Sequence, residues 1–283
     1  MKNRIVKVSF AAALILICFI PAIIFFSKKK TAEYEIVCFG DSVMAGYYST
    51  DTVPACIKKM TGRPVLNAAF GGLSMSKPYE IPKEGDTSNF YSMAELSEAL
   101  LNRDFSLQIM GTKLRVEEFE KKWPAVADKL NKLDYNSVKY IIIEHGVNDY
   151  LMGKRIDDDA NPYNIYTFAG ALRTSIENVK KAIPNATIVL VTPTYMQLDS
   201  MDKDCFETDF GGGTLPDYVA KEKEVAAEYG LICVDDFYES GIDKDNYEEY
   251  LFDGLHTLYE ANLLIADNIV RNVEGICKDD ITR

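Results

Sequence analysis

The sequence predicts an α/β protein, a mainly parallel sheet with helices on both faces that gives a three-layer α/β/α sandwich. Short β-branched runs alternate with longer segments of helical pattern along most of the chain. Those runs are apolar almost end to end rather than at every second residue, as strands buried on both faces require. Several of them stop at Gly or Pro, which are turn residues. Parallel strands cannot be joined by tight hairpins, so each connection must cross over the sheet.

Taken in order, EIVCFG (35–40) is the first strand and breaks at Gly40-Asp41. PVLNAAF (64–70) is the second and ends at Gly71-Gly72, and VKYIIIEHG (138–146) is the third, with an unbroken β-branched run. A helix is expected over 163–183, then the strand ATIVLVTPT (186–194), closed by proline. A second helix over 215–229 leads into the strand GLICVDDF (230–237), and a last helix is expected over 256–273. Two stretches break the alternation. Residues 74–135 are long and polar with helical patches at 92–101 and 116–133, and residues 196–216 form an acidic loop with a Gly triplet. Both follow strand ends, as insertions overhanging one edge would. Ligands of such sheets sit at the carboxyl ends of the strands, which gathers Gly40–Ser42, Gly71–Gly72 and Gly146–Asn148 at that edge.

The chain has 283 residues and a formal charge of −12, from 31 Lys plus Arg against 43 Asp plus Glu. That length allows a full core, and 47% hydrophobic residues exclude a mainly disordered chain. The acidic balance argues against binding nucleic acid by bulk charge. Six cysteines without a CxxC pair are no disulfide scaffold, and the five after Cys18 read as mostly buried thiols.

The charge is unevenly spread: the first thirty residues carry +6 and no acid, leaving −18 on residues 31–283. Between the basic clusters, Val8 to Phe26 are nineteen uncharged residues. As a helix they span about 28 Å, close to the hydrocarbon core of a bilayer. Residues 1–30 are therefore expected to be a transmembrane signal anchor placing residues 31–283 outside the membrane. A cleaved signal, and so a secreted protein, is the alternative.

Four motifs carry possible chemistry. Gly40-Asp41-Ser42 presents a hydroxyl at a strand-to-helix turn, where a nucleophile is held out of the sheet, though both residues could simply cap the helix. Asp253-Gly254-Leu255-His256 puts a carboxylate and an imidazole on one turn, the pair that makes a serine hydroxyl nucleophilic; a surface histidine capping the next helix is the plainer reading. Gly146-Val147-Asn148-Asp149 follows the third strand, and Asn148 there could donate to an oxyanion or make an Asx turn. Asn67 through Gly72 lets backbone N–H groups approach an oxyanion, or forms a tight turn. His145, the other of the two histidines, has no Asp in DxxH spacing and is expected to be structural or substrate-lining. Asp41 is expected to brace its turn. The acids of 199–209 lack EF-hand spacing, and no metal site is expected there.

With all four blocks in this chain order, residues 35–275 resemble the SGNH (GDSL-like) hydrolase family, leaving 74–135 and 196–216 matched only in general layout. The resemblance implies a flavodoxin-like sheet and a serine esterase or acylhydrolase needing no cofactor. It implies Ser42 as nucleophile, His256 as base and Asp253 as the triad acid. Ser42, Gly72 (or Gly71) and Asn148 would then form the oxyanion hole. The substrate is expected to be a small-molecule or carbohydrate ester, with O-deacetylation of cell-envelope carbohydrate as one reading and lysophospholipid cleavage as another. Acyl transfer to a sugar and a non-catalytic surface binding module are the remaining alternatives.

Overall fold

The computed structural model describes residues 33–46, 51–78, 91–112, 122–198, 200–201 and 203–278. The expected anchor at Val8–Phe26 and the boundary after residue 30 lie outside these. Among the described residues no helix is long and apolar enough to cross a membrane.

Five strands, β1 (Ile36–Gly40), β2 (Val65–Asn67), β3 (Tyr140–Glu144), β4 (Thr187–Val191) and β5 (Ile232–Val234), form one sheet in the order β2-β1-β3-β4-β5. Every pairing is parallel, with Gly40 beside Glu144 and Glu144 beside Val191 at the carboxyl edge. The uniform apolar runs are explained by burial: Ile36 to Phe39 and Ile141 to Ile143 have no exposed surface.

The helices are α1 (Ser42–Ala45), α2 (Val53–Thr61), α3 (Met93–Asn102), α4 (Ser106–Thr112), α5 (Trp123–Asn131), α6 (Val147–Leu151), α7 (Phe168–Ala182), α8 (Leu215–Tyr229), α9 (Asp236–Glu239), α10 (Tyr247–Tyr250) and α11 (Tyr259–Asn272). Helix α2 packs against α11, and α3 and α8 both pack against α7, the two helical layers that the crossovers of a parallel sheet provide. In α7, Phe168, Leu172, Ile176 and Val179 recur at helical spacing and are buried, and Asn178 reaches across to donate to Ser97 of α3 at 3.1 Å.

Several boundaries differ from the sequence reading. The helix expected from residue 163 begins at Phe168, because the Thr167 hydroxyl accepts the Gly170 N–H and caps it. The last helix begins at Tyr259 rather than His256, since Leu251 and Thr257 form an antiparallel bridge that keeps 252–258 as a closed turn. Of the patch expected at 116–133, the described helix is Trp123–Asn131. Helix α2 was not anticipated, although Thr52 caps it, Pro54 sits in its first turn and Gly62 ends it in a left-handed conformation. The described part of 196–216 is irregular, as expected, until α8 starts at Leu215.

Beneath the carboxyl edge lies a layer of buried acids, Glu144, Glu222 and Asp236, each no more than 2% exposed. Burial raises all three carboxyls, and repulsion raises two of them further, Glu144 by Asp41, Glu222 and Asp236, and Glu222 by Asp149, Asp235 and Asp236. Burial pushes Asp236 up to about 8, against the amide of Asn268 that donates to it at 2.7 Å. An acid raised on folding contributes stability that is complete below its unfolded pKa, about 4, and is lost as pH climbs through the folded value. For Asp236 that window runs from about 4 to about 8. Asp236→Asn keeps an acceptor for Asn268 and removes the ionisation. It is expected to raise Tm at pH 9, by roughly 2–4 °C for each kcal/mol recovered, and to leave Tm at pH 4 nearly unchanged. Thermal melts at the two pH values check this, and equal shifts at both would remove the role of charge.

Candidate active site

Ser42 stands where β1 turns into α1. Asp41 caps that helix by accepting the Val43 N–H at 2.9 Å, which leaves Ser42 in the first helical position. The Ser42 side chain is only 4% exposed, and its Oγ lies 3.0 Å from His256 Nε2. On the other side of the ring, His256 Nδ1 lies 2.7 Å from Asp253 Oδ2. A carboxylate cannot donate, so Nδ1 carries the proton and Nε2 is left to accept from the serine hydroxyl.

The turn that carries Asp253 and His256 is held from within. Asp253 Oδ1 accepts the N–H groups of Leu255 at 3.2 Å and His256 at 2.9 Å. Burial tends to raise the Asp253 carboxyl, but these N–H groups and the His256 ring hold it below its ordinary value. Gly254 has φ +78°, and a Cβ there would lie 1.8 Å from the Gln197 carbonyl oxygen. The Gly254 carbonyl in turn accepts the Gln197 N–H at 2.8 Å. Only glycine permits this approach, which docks the Asp253–His256 turn on the 196–216 loop.

The other predicted residues gather beside Ser42. Asn148 lies in the first turn of α6 and spends both amide hydrogens, on Asp41 Oδ2 at 3.0 Å and on the Leu73 carbonyl at 3.2 Å. Gly72 is exposed with φ +73°, whereas Gly71 is buried. Among the described residues, neither the Ser42 N–H nor the Gly72 N–H has an acceptor. Ser42, Asp41, Asn148, Leu73 and Gly72 thus form one continuous path of covalent and hydrogen bonds. Asp41 has no exposed surface. Burial pushes its carboxyl up to about 7, against the pull of the Val43 N–H and the Asn148 amide.

His145 does not join this group. It has no exposed surface, and among the described residues neither ring nitrogen makes a well-formed hydrogen bond, although the Leu73 backbone lies close enough to favour the protonated ring slightly. Burial pushes its pKa down to about 3, which leaves a neutral packed ring, the structural of the two roles expected for it. The five cysteines among the described residues are free thiols, three of them buried. Among the described residues no cluster of His, Cys, Asp and Glu is arranged to hold a metal ion. What the motifs did not disclose is the part played by Leu73, whose carbonyl holds Asn148, and by Asp149. The latter was legible only as the residue after Asn148.

A parallel α/β sheet with this serine, histidine and carboxylate in line at its carboxyl edge has the build of an ester-hydrolysing enzyme. Residues 38–258 match the GDSL-like Lipase/Acylhydrolase family, and the chain belongs to that family. A GDSL esterase/lipase of Arabidopsis thaliana is 29% identical over 136 residues, which are 44% of this chain. The match spans about half of that relative's length, 55%. Among solved structures, a Lactobacillus plantarum protein superposes with a TM-score of 0.61 at 16% identity, over 85% of this chain and 96% of its own. An aryl esterase of M. smegmatis, in an inhibitor-bound form, superposes with a TM-score of 0.51 at 14% identity, over 85% of this chain and all of its own. At these identities the likeness concerns the fold.

Proposed function

We propose that the chain cleaves carboxylic esters through a Ser42–His256–Asp253 triad, and that its substrates are short acyl esters, foremost O-acetyl groups of neutral carbohydrate. The observation that carries the chemistry is the line from Ser42 Oγ to His256 Nε2 at 3.0 Å and from Nδ1 to Asp253 at 2.7 Å. Ser42 Oγ attacks the ester carbonyl carbon while its proton passes to His256 Nε2. Asp253 stabilises the imidazolium that results. The oxyanion takes hydrogen bonds from the N–H groups of Ser42 and Gly72 and from Asn148, whose amide N–H, kept in place by the Leu73 carbonyl, is shared with the substrate oxygen. Collapse breaks the bond to the alcohol oxygen, which leaves with the proton held on His256. Water then attacks the acyl-enzyme, giving one proton to His256, and the carboxylic acid departs as that proton returns to Ser42.

The substrate class follows from charge and placement. A domain with −18 on residues 31–283 repels anionic headgroups and acidic glycans, which favours a neutral ester. Anchored by Val8–Phe26 and facing away from the cytoplasm, it would meet envelope or imported polysaccharide. Two measurements test this. A fluorophosphonate probe, followed by peptide mapping, is expected to label Ser42, and labelling elsewhere or none would sink the triad. A series of p-nitrophenyl esters is expected to show kcat/KM highest for acetate and falling beyond butyrate. Activity rising towards long chains would assign the site to lipid instead.

A further inference from the structure

Asp149 follows Asn148 on α6 and has no exposed surface, yet among the described residues it forms no ion pair within 4 Å. Lys154 acts on it only through space, and the hydrogen bonds of its carboxylate all go to one short segment. Oδ2 accepts the Met75 N–H at 2.7 Å, and Oδ1 accepts both the Ser76 N–H at 3.0 Å and the Ser76 hydroxyl at 2.5 Å. Burying a carboxylate is unfavourable unless donors replace its water, and here three do. The segment they fix begins three residues earlier at Gly72, and the Leu73 carbonyl within it accepts from Asn148 at 3.2 Å. A closed ring results: Asn148 amide, Leu73, Ser74, Met75, the Asp149 carboxylate, and the peptide back to Asn148.

We infer that Asp149 is a positioning residue that sets the Gly72 N–H and the Asn148 amide in register with one another as the two movable donors of the oxyanion hole. The inference rests on the proposed assignment of those two groups. Its physical content is that donors from distant parts of the chain, 76 positions apart, are referred to one rigid carboxylate. Such donors stabilise the transition state only when already aimed at the position the oxyanion will occupy. The ring has further supports: the Ser74 hydroxyl donates to the Ser76 carbonyl at 2.6 Å, and the Ser74 carbonyl accepts the Met93 N–H at 2.9 Å from the start of α3. The 74–135 insertion thereby bears on the donor loop through α3.

Asp149→Asn tests the idea, because an amide offers one acceptor oxygen and sets an NH₂ against one of the two backbone N–H groups. In the full chain, kcat per fluorophosphonate-titrated site is expected to fall about 10–100-fold with KM within about twofold. Affinity for a short alkylboronic acid, whose serine adduct mimics the oxyanion, should fall in parallel. Ser76→Ala, which removes only the hydroxyl contact, should show the same split at a few-fold size and decides the matter if Asp149→Asn does not fold. If kcat per titrated site and boronate affinity stay at the wild-type level while only Tm falls, Asp149 is merely structural and the inference is overturned. Ser42→Ala run beside them separates the two layers: full activity in that protein would overturn the underlying site assignment itself.

Discussion

Ser42→Ala is expected to lower kcat/KM for p-nitrophenyl acetate by about 10⁴–10⁶-fold and to leave Tm within about 2 °C. In the proposed mechanism the Ser42 hydroxyl oxygen forms the new bond, and His256 Nε2, 3.0 Å away, is the base that takes its proton. The residual rate measures what binding and the oxyanion donors do alone, on the order of 10³ above the uncatalysed reaction. Stability should barely respond, because the side chain removed is small and contributes one hydrogen bond, worth about 1 kcal/mol. Steady-state kinetics with a mock-purified control, together with a thermal melt, read both quantities. Activity above a hundredth of wild type would remove Ser42 from the mechanism.

That such a variant can be chosen from the sequence reflects how local the blocks are. Gly40-Asp41-Ser42 and Asp253 through His256 each lie within a few consecutive residues, so turn chemistry and hydrogen-bond reach restrict them before any fold is known. The sheet was equally legible, since parallel strands buried on both faces leave uninterrupted runs such as Ile141 to Ile143. Less legible was anything decided by contact across the chain. His256 looks like the start of a helix, and only the Leu251–Thr257 bridge, with Gln197 packed against Gly254, makes it part of a fixed turn. Helix α2 escaped notice because the β-branched Val53, Ile57 and Thr61 weaken its intrinsic propensity, and burial of Val53, Cys56 and Ile57 against neighbouring elements outweighs that. Asp149 could be seen as a motif letter, but its three bonds to Met75 and Ser76 span more than seventy residues and leave no local trace.

Asp253→Asn is the second large effect, and its direction follows from the backbone of the turn. In the native site Asp253 Oδ1 faces two donors, the N–H groups of Leu255 and His256, while Oδ2 faces His256 Nδ1 at 2.7 Å. An asparagine must place its single acceptor oxygen towards the two backbone N–H groups, because the reverse orientation would set its NH₂ against both. Its NH₂ then points at His256 Nδ1, which can only respond by giving up its proton and accepting. The imidazole becomes the Nε2–H tautomer, and a hydrogen is aimed at Ser42 Oγ where a lone pair is needed. Geometry is preserved and the base is disabled, so kcat is expected to fall about 10⁴-fold with KM little changed. Asp253→Ala leaves Nδ1 free to keep its proton and should retain more activity than Asp253→Asn despite the larger deletion. The order of the two variants is the informative measurement. If Asp253→Asn proves the more active, the carboxylate acts on something other than the tautomer of His256.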